Sequence, residues 1–378
     1  MPRWRFTLSE FSGALADLGV LLPLTLALVS MKGIHLTSAL VVIGLAYGLN
    51  AFAYHLPVPV QPLKSLAATA LALQLSAGVI TAGAWWMAVI CLGLAVTGVA
   101  RRLAVLFPPA IVRGIQLGLA ALLLQSAWGL IQPGEPGLVL GSLVVLGLCL
   151  WLRPDWAALA LLIFGLGWVG LPGGWPAVTL KPAWPALVFP AVADFGPAFW
   201  LLAVPQVPLS LANSIYSTAD AARQYFREQA APVTPKRLLT TMGLANVAAA
   251  LWGGVPICHG SGGLTAHYRL GARTGGAPLM LAGIFLAAGL FGGAGLLPLV
   301  RLIPFPVLGV LLVVVALQHG RLALDLRGSA EWLPALTVAV TAWLTRNLAI
   351  GYAAGLLVHL ALPMLGHLRR IRWASQSL

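Results

Sequence analysis

Apolar runs of close to twenty residues recur along almost the whole chain, and this pattern constrains the fold more than any other feature of the sequence. A helix of roughly 20 apolar residues crosses the hydrocarbon core of a bilayer. In lipid the backbone must satisfy its own hydrogen bonds, which a helix does. The chain is 60% hydrophobic and 8% charged, and it has no hydrophilic stretch long enough for a soluble domain. We therefore expect an all-α polytopic membrane protein.

The hydropathy pattern predicts about 14 helices once short and half-length helices are admitted. In the first half they cover approximately 10–30, 36–54, 62–77, 79–100, 108–131, 137–152 and 155–170. In the second half they cover approximately 197–219, 236–252, 259–268, 277–299, 304–319, 330–345 and 348–366. We divide the chain into a first repeat (1–170), an external linker (171–196), a second repeat (197–368) and a short cytoplasmic tail (369–378), with no soluble C-terminal domain.

Two short motifs occur once in each half of the chain. Residues 22–27 of the first predicted helix read Leu-Pro-Leu-Thr-Leu-Ala, and residues 207–212 of the eighth read Val-Pro-Leu-Ser-Leu-Ala. A proline opens the fifth helix in residues 109–114, and residues 306–309 open the twelfth in the same way. Each pair is seven helices apart, and an odd number of spans per repeat reverses its orientation in the membrane. The sequence therefore predicts a seven-plus-seven inverted repeat.

Basic residues are distributed unevenly between the predicted loops. The net charge is +13, and with a cytoplasmic N-terminus nearly all lysines and arginines fall on the cytoplasmic side. Those that fall outside are Lys32, Lys181, Arg301 and Arg346. This bias sets the orientation of a membrane protein, and it explains the basic character without a nucleic-acid partner. We expect a multi-pass protein of the inner (plasma) membrane with both termini in the cytoplasm.

Two segments rich in glycine and proline, residues 55–65 and 254–263, interrupt the apolar pattern at corresponding places in the two halves. Broken helices in this arrangement are the best sequence pointer to the binding site of a transporter. Backbone left unpaired in hydrocarbon costs several kcal/mol per group, so we expect these segments to face water or a ligand. Half-helices that begin near Gln61 and His259 would direct their N-termini, each carrying about half a positive charge, at one point. Anions are favoured there.

Lys64 and Asp17 are the two charged residues that we expect near this site within the membrane. Burying a lysine at a helix N-terminus costs about 2.5–3.5 kcal/mol, so an anion should compensate it. Either the substrate or Asp17 could be the compensating anion. The alternative is that the Lys64 side chain extends to the membrane interface. Asp17 either has a structural role, in which it pairs with Lys64 or with a helix N-terminus, or it takes up the proton that couples transport.

The remaining predicted site residues are neutral donors and glycines near the two half-helices. The full set of predicted substrate-binding residues is Gln61, Lys64, Ser65, Gln206, Asn213, His259, Gly260, Ser261, Gly262 and Gly263. The glycines would let the backbone approach an oxyanion, or they would only permit tight helix packing. The eighth-helix residues Gln206 and Asn213 would line the cavity or join helices. His259 would contact the anion or pack, and Arg113 would anchor the fifth helix in the cytoplasm.

Two other function classes fit the sequence poorly. A membrane hydrolase with Ser261 as nucleophile beside His259 lacks the G-x-S-x-G spacing and a preceding strand. A metal carrier that uses Cys258 and His259 lacks a second clustered pair, and neighbouring helical residues point about 100° apart. We therefore expect no enzyme activity, no metal site and no cofactor.

At these residues the chain resembles the molybdate transporter family of the sulfate permease superfamily. The matching pieces are residues 12–19, 57–65, 205–214 and 258–264, with Tyr268, Arg269 and residues 271–273. The resemblance implies a core domain and a gate domain that move in an elevator-like fashion, with an oxyanion bound between the third and tenth helices. Members often carry threonine where this chain has Val20.

We therefore predict a secondary transporter of a tetrahedral oxyanion, most simply molybdate, with sulfate or tungstate as competitors and with Asp17 as the candidate residue for proton coupling. The alternative is a sulfate, bicarbonate or nucleobase carrier of the same fold. Nucleobase carriers of this fold resemble one another in using a carboxylate in the eighth helix, where this chain offers Gln206 and Asn213. The expected partners are the oxyanion, the lipid bilayer and a coupling proton, and the sequence leaves homodimer formation open.

Overall fold

Helices make up most of the chain, and their bounds follow the predicted pattern closely. The computed structural model describes residues 3–30 and 34–376, so Lys32 lies outside the described residues. The first half contains α1 (Leu8–Leu15), α2 (Leu18–Ser30), α3 (Leu36–Tyr54), β1 (Gln61–Pro62), α4 (Lys64–Ala72), α5 (Ala77–Thr97), α6 (Val99–Leu103), α7 (Pro109–Ile131), α8 (Pro136–Leu152) and α9 (Ala157–Gly173). The second half contains α10 (Val192–Pro197), α11 (Val204–Leu209), α12 (Thr218–Phe226), α13 (Pro235–Trp252), β2 (Ile257–Cys258), α14 (Ser261–Arg269), α15 (Gly276–Phe291), α16 (Leu297–Arg301), α17 (Phe305–Gly320), α18 (Gly328–Thr345) and α19 (Leu348–Gln376).

Two of the predicted spans are bent rather than continuous. The prediction of one helix over 10–30 is wrong, because α1 and α2 meet at 48°. The break falls at Asp17, whose carbonyl accepts hydrogen bonds from the amides of Val20 and Leu21 in the first turn of α2. The prediction of one helix over 277–299 is also wrong, because the chain turns by 113° after α15. Gly293 has a φ of +48° at that turn, a conformation that glycine adopts without strain.

The eighth predicted helix is longer and less regular than its prediction of 197–219. Helices α10, α11 and α12 are joined into one helical stretch by two π-helical segments, Ala198–Ala203 and Ser210–Ser217. Inserted π-helical turns are frequent at functional sites. The second π segment contains Asn213, one of the predicted site residues.

The helix lengths and outer surfaces fit a bilayer. Among the described residues, six helices are long and apolar enough to cross a membrane, or eight if each bent pair is one span. The half-helices are too short to satisfy that criterion alone. Large apolar side chains on the outer surface, such as Val96 at 83% exposure and Trp151 at 80%, suit contact with lipid.

The helices are arranged as two bundles. In the core bundle, α1–α5 with α10–α15, α3 packs on α15 and α13, and α5 packs on α13. In the gate bundle, α7–α9 with α17–α19, α7 packs on α17 and α18, and α18 packs on α19. The bundles meet where α14 and α2 contact α17, and where α7 contacts the π segment Ser210–Ser217.

Candidate substrate site

The two interrupted segments meet as a short antiparallel strand pair. Gln61 lies opposite Cys258, and Pro62 lies opposite Ile257. The pairing continues for one more residue, because the Leu63 amide donates to the Pro256 carbonyl at 2.9 Å. Helix α4 begins directly after β1, and α14 begins shortly after β2. The strand pair thus places the first turns of the two half-helices side by side.

Most backbone hydrogen-bonding groups described in these segments pair with other groups of the protein. This corrects the expectation that water or a ligand must pair with them. The side-chain Nδ2 of Asn50 lies 3.3 Å from the Val58 carbonyl oxygen and 3.2 Å from the Pro59 carbonyl oxygen. Asn246 donates to the Ile257 carbonyl at 2.7 Å and accepts from its amide at 3.0 Å. Each asparagine lies on the helix before its interrupted segment, and this repetition is the sequence signal that would have found them.

A chain of hydrogen bonds connects the two charged residues of the site. The Lys64 ammonium donates to Gln61 Oε1 at 2.7 Å, and Gln61 Nε2 donates to Asp17 Oδ1 at 2.5 Å. Gln61 therefore separates Lys64 from Asp17, and the two ions make no direct contact in the described structure. Asp17 is only 2% exposed, and its Oδ2 has no hydrogen-bond partner among the described residues. Asp17 is thus a buried carboxyl group with one oxygen committed and one free.

The glycines of the second segment make room for these side chains. A Cβ atom on Gly263 would lie 2.6 Å from Gln61 Nε2 and 2.7 Å from Asp17 Oδ2, and one on Gly260 would overlap the Gln61 amide. A Cβ on Gly262 would instead reach Leu123 of α7 at 3.2 Å. The start of α14 is therefore closely approached by the Asp17 carboxyl group.

We expect Gly263→Ala to destabilise the protein by about 1–3 kcal/mol, because its Cβ has no space beside Gln61 and Asp17. The matched control is Gly283→Ala in α15, where nothing lies within 4 Å of the added Cβ. That control should be neutral or stabilising by about 0.5–1 kcal/mol, since alanine favours helix. Thermal unfolding in detergent measures both, and equal midpoints for the two variants would contradict the crowding described here.

A cavity of about 790 Å³ lies between the core and gate bundles. Of the predicted substrate-binding residues, Lys64, Ser65 and Asn213 line it. Its walls are otherwise mostly apolar and come from α2, α7 and α17, and they include Val20 at the position where the resemblance leads us to expect threonine. At its other end the cavity is lined by Gln132, Arg346 and Asn347, which follow the last residues of α7 and α18.

The structure places the other predicted residues behind this lining. Ser261 is fully buried and donates to Asn213 Oδ1 at 2.7 Å. Gln206 accepts from the Leu66 amide at 3.0 Å, so it caps the first turn of α4. His259 binds protein groups through both ring nitrogens, with Thr241 Oγ1 2.8 Å from Nε2. We therefore leave His259 out of the proposed site.

His319 of α17 is a buried residue that the sequence reasoning missed. Its Nε2 lies 3.2 Å from the Ser261 hydroxyl and its Nδ1 lies 2.7 Å from the Thr265 hydroxyl. The ring is fully buried and joins the gate bundle to half-helix α14. A histidine in an apolar helix gives no sign of the face on which it lies, so only the fold reveals this contact.

Arg113 is more than the cytoplasmic anchor that the sequence predicts. It is 7% exposed, and it binds both oxygens of Asp325 at 2.8 and 2.7 Å and also pairs with Asp220. Asp325 follows α17 in the gate bundle, whereas Asp220 lies on α12 in the core bundle. Arg113 therefore has one partner on its own bundle and one across the interface.

We expect Asp220→Asn to loosen the two bundles at this end without unfolding the protein, because Arg113 keeps Asp325. Removing one charged partner costs about 1–3 kcal/mol, which corresponds to about 5- to 150-fold faster local opening. Hydrogen–deuterium exchange of the first turn of α7 and of α12, followed by mass spectrometry, measures this. The control is Asp325→Asn, which keeps the ion pair between bundles, and equal exchange in both variants would contradict a role for Asp220 in holding them.

Two parts of the chain match the sequence model of a known protein family. Residues 9–123 and 198–318, more than half of the chain, match the sequence model described as molybdate transporter of MFS superfamily. The chain belongs to the molybdate transporter family. The matched residues contain both interrupted segments, β1, β2, α4 and α14. Among relatives, the chain is 28% identical to molybdate transporter 1 of Arabidopsis thaliana, over 96% of this chain and 89% of that protein.

Solved structures show which fold this member of the molybdate transporter family has. The chain is similar to the transmembrane domain of a cyanobacterium bicarbonate transporter, BicA, with a TM-score of 0.59 at 18% identity, covering 93% of this chain and 96% of that one. It is also similar to SLC26A9, with a TM-score of 0.59 at 13% identity, covering 95% and 65% of the two chains. The inverted-repeat fold of core and gate domains is thereby confirmed, and the protein is a membrane transporter of anions rather than an enzyme.

Proposed function

We propose that this protein is a secondary transporter of molybdate. The observation that carries the proposal is the Lys64 ammonium, in the first turn of α4, at the wall of a cavity inside a membrane protein. A cation at a helix N-terminus is unfavourable alone, and a dianion in the cavity would offset both positive potentials. The molybdate transporters among the relatives favour molybdate over sulfate, tungstate and bicarbonate.

The proposed binding groups are few and lie on the core bundle. Lys64 supplies the charge, Ser65 and Asn213 supply neutral hydrogen bonds from the cavity wall, and Ser261 orients Asn213 from behind. The backbone amides of Lys64 and Ser65 in the first turn of α4 complete the set, because they have no hydrogen-bond partner among the described residues, whereas Gln206 occupies the amide of Leu66. A tetrahedral oxyanion takes hydrogen bonds from several directions, which suits a site of this kind.

Asp17 is the group that we propose binds the coupling proton. Its carboxylate is two hydrogen bonds from Lys64, and one of its oxygens has no hydrogen-bond partner in the described part of the chain. An anion at Lys64 would be repelled by a charged Asp17, and a proton on Asp17 removes that repulsion. Anion and proton would therefore favour each other's binding, as linkage requires. This is the energetic basis of symport.

Alternating access would follow from sliding of the core bundle against the gate bundle. The cavity reaches Arg346 at one end of α7, whereas the Arg113–Asp220 pair holds the bundles together at the other end. With the cytoplasmic N-terminus that the distribution of basic residues favours, the cavity faces outside and the ion pair closes the cytoplasmic side. Release to the cytoplasm would require that pair to open.

The test is uptake of molybdate into proteoliposomes containing the purified protein. We expect saturable uptake that an inward-directed proton gradient stimulates, with tungstate and sulfate measured as competitors. Bicarbonate uptake without molybdate uptake would favour the bicarbonate alternative. No uptake of any of these oxyanions by correctly inserted protein would refute the proposal.

A further inference from the structure

Five side chains from both bundles form one buried chain of hydrogen bonds behind the cavity. The Tyr225 hydroxyl lies 3.0 Å from the Thr265 hydroxyl, which lies 2.7 Å from His319 Nδ1. On the other side of the ring, Nε2 lies 3.2 Å from the Ser261 hydroxyl, which donates to Asn213 at 2.7 Å. Since Asn213 lines the cavity, the chain leads from the imidazole of His319 to the proposed anion site.

The donors in this chain can be assigned for a neutral imidazole. The proton of Ser261 goes to Asn213, so Ser261 accepts from His319, whose Nε2 carries the hydrogen. Nδ1 is then an acceptor, and the Thr265 hydroxyl donates to it. Tyr225 in turn donates to Thr265. Each hydroxyl hydrogen and the imidazole hydrogen in the chain has an acceptor in this arrangement.

The same contacts also satisfy a protonated imidazole. With a hydrogen on both nitrogens, His319 donates to Ser261 and to Thr265. Thr265 then turns its own hydrogen to the Ser261 carbonyl, which lies 3.0 Å from its hydroxyl oxygen. Only the hydroxyl hydrogen of Thr265 rotates, and no heavy atom moves. The ring is therefore held in a site whose hydrogen bonds fit both of its charge states.

Burial and the charge around the ring together decide which state is occupied. Burial is the larger factor that favours the neutral imidazole, and the positive charge of Lys64 adds to it, because like charges oppose protonation. Other ionisable groups on elements packed near α17 make no contact with the ring in the described structure: Asp17, Arg113, Glu135, Asp155, His267, Arg269, Arg321 and Asp325. A dianion beside Lys64 would reverse the local potential and favour the imidazolium.

We propose that His319 takes up a proton from solvent when the oxyanion binds, so that the imidazole becomes an imidazolium hydrogen-bonded to Ser261 and Thr265. The inference rests on the proposed oxyanion site and adds a second proton-binding group, on the gate bundle, to Asp17 on the core bundle. Because Ser261 and Thr265 belong to α14, the imidazolium also strengthens the contact between the two bundles while the anion is bound. By linkage, anion affinity rises as the pH falls.

Calorimetry tests this with the full-length protein in detergent. Titration with sodium molybdate in buffers of different ionisation enthalpy gives the number of protons taken up per anion, over roughly pH 5–8 where histidine titrates. We expect the wild type to take up protons when molybdate binds, and we expect His319→Gln to take up fewer. Glutamine keeps a hydrogen-bond donor for Ser261, so this variant should bind molybdate with an affinity within about tenfold of the wild type. Asp17→Asn should still take up the protons that His319 binds.

The matched control is His267→Gln, at a second fully buried histidine, on α14, whose Nδ1 contacts the Pro57 carbonyl and which lies outside this chain of hydrogen bonds. It should take up as many protons as the wild type. If His319→Gln does not fold, His319→Asn replaces it. Unchanged proton uptake in a His319 variant that binds molybdate overturns this inference and leaves the oxyanion site standing. Absence of molybdate binding to the wild type overturns both.

Discussion

Replacing Lys64 with methionine should weaken molybdate binding by about 10- to 150-fold. Methionine replaces the unbranched apolar stem of lysine and lacks its terminal ammonium, and hydrogen bonds to charged groups contribute about 1.5–3 kcal/mol. The variant should also be at least as stable as the wild type, because the cost of holding an ammonium in the membrane disappears. Calorimetric titration with molybdate gives the affinity, and thermal unfolding gives the stability.

The control for Lys64→Met is Lys236→Met, at an exposed position near the start of α13. It removes the same net charge from the protein far from the cavity lining, so it should bind molybdate as the wild type does. A Lys64→Met protein that binds molybdate within about twofold of the wild type would show that the ammonium is not the anion's partner.

Asp17→Asn should separate anion transport from the proton gradient. Asparagine has the shape of aspartate, still accepts from Gln61 and carries no titratable proton. We expect molybdate to bind, and exchange of internal for external molybdate to continue, while stimulation by an inward-directed proton gradient is lost. Uptake at matched pH inside and outside the vesicles, compared with uptake under a gradient, measures this directly.

Glu228→Gln, at an exposed carboxylate after α12, is the control for Asp17→Asn and should keep its response to the gradient. Stimulation of Asp17→Asn equal to that of the wild type would assign coupling to another group. His319, the second proton-binding group proposed above, would then be the first to examine.

Much of the fold could be predicted from the sequence because lipid restricts the backbone so severely. The expected helix over 36–54 is α3, Leu36–Tyr54, and the expected helix over 108–131 is α7, Pro109–Ile131. Both half-helices were also found, since Pro62 and the glycines near Ser261 interrupt the apolar pattern visibly. The bend at Asp17 was missed because the nearby Gly13 and Gly19 are no clear break signal in a membrane helix, where glycine is frequent. The side-chain contact of Asp17 with Gln61 forms only across the fold.

Some of the residues that line the cavity could be predicted from the sequence, but most of their contacts could not. Lys64, Ser65 and Asn213 do line the cavity. The sequence offers His259 as a candidate because it adjoins the second half-helix, with packing as the alternative. In the structure its ring contacts the Pro59 carbonyl, and His319 contacts Ser261. Which face of a helix meets a distant one depends on packing between bundles, and a single sequence with a uniformly apolar pattern does not record it.

The pairing of β1 with β2 makes each half of the chain incomplete by itself. A lone first half would expose the strand's polar groups in the membrane and would lack the glycine surface that receives Asp17 and Gln61. Only an oppositely oriented partner supplies both. A single repeat would therefore have to insert in two orientations and associate as an antiparallel dimer, and joining two repeats in one polypeptide removes the need for that association.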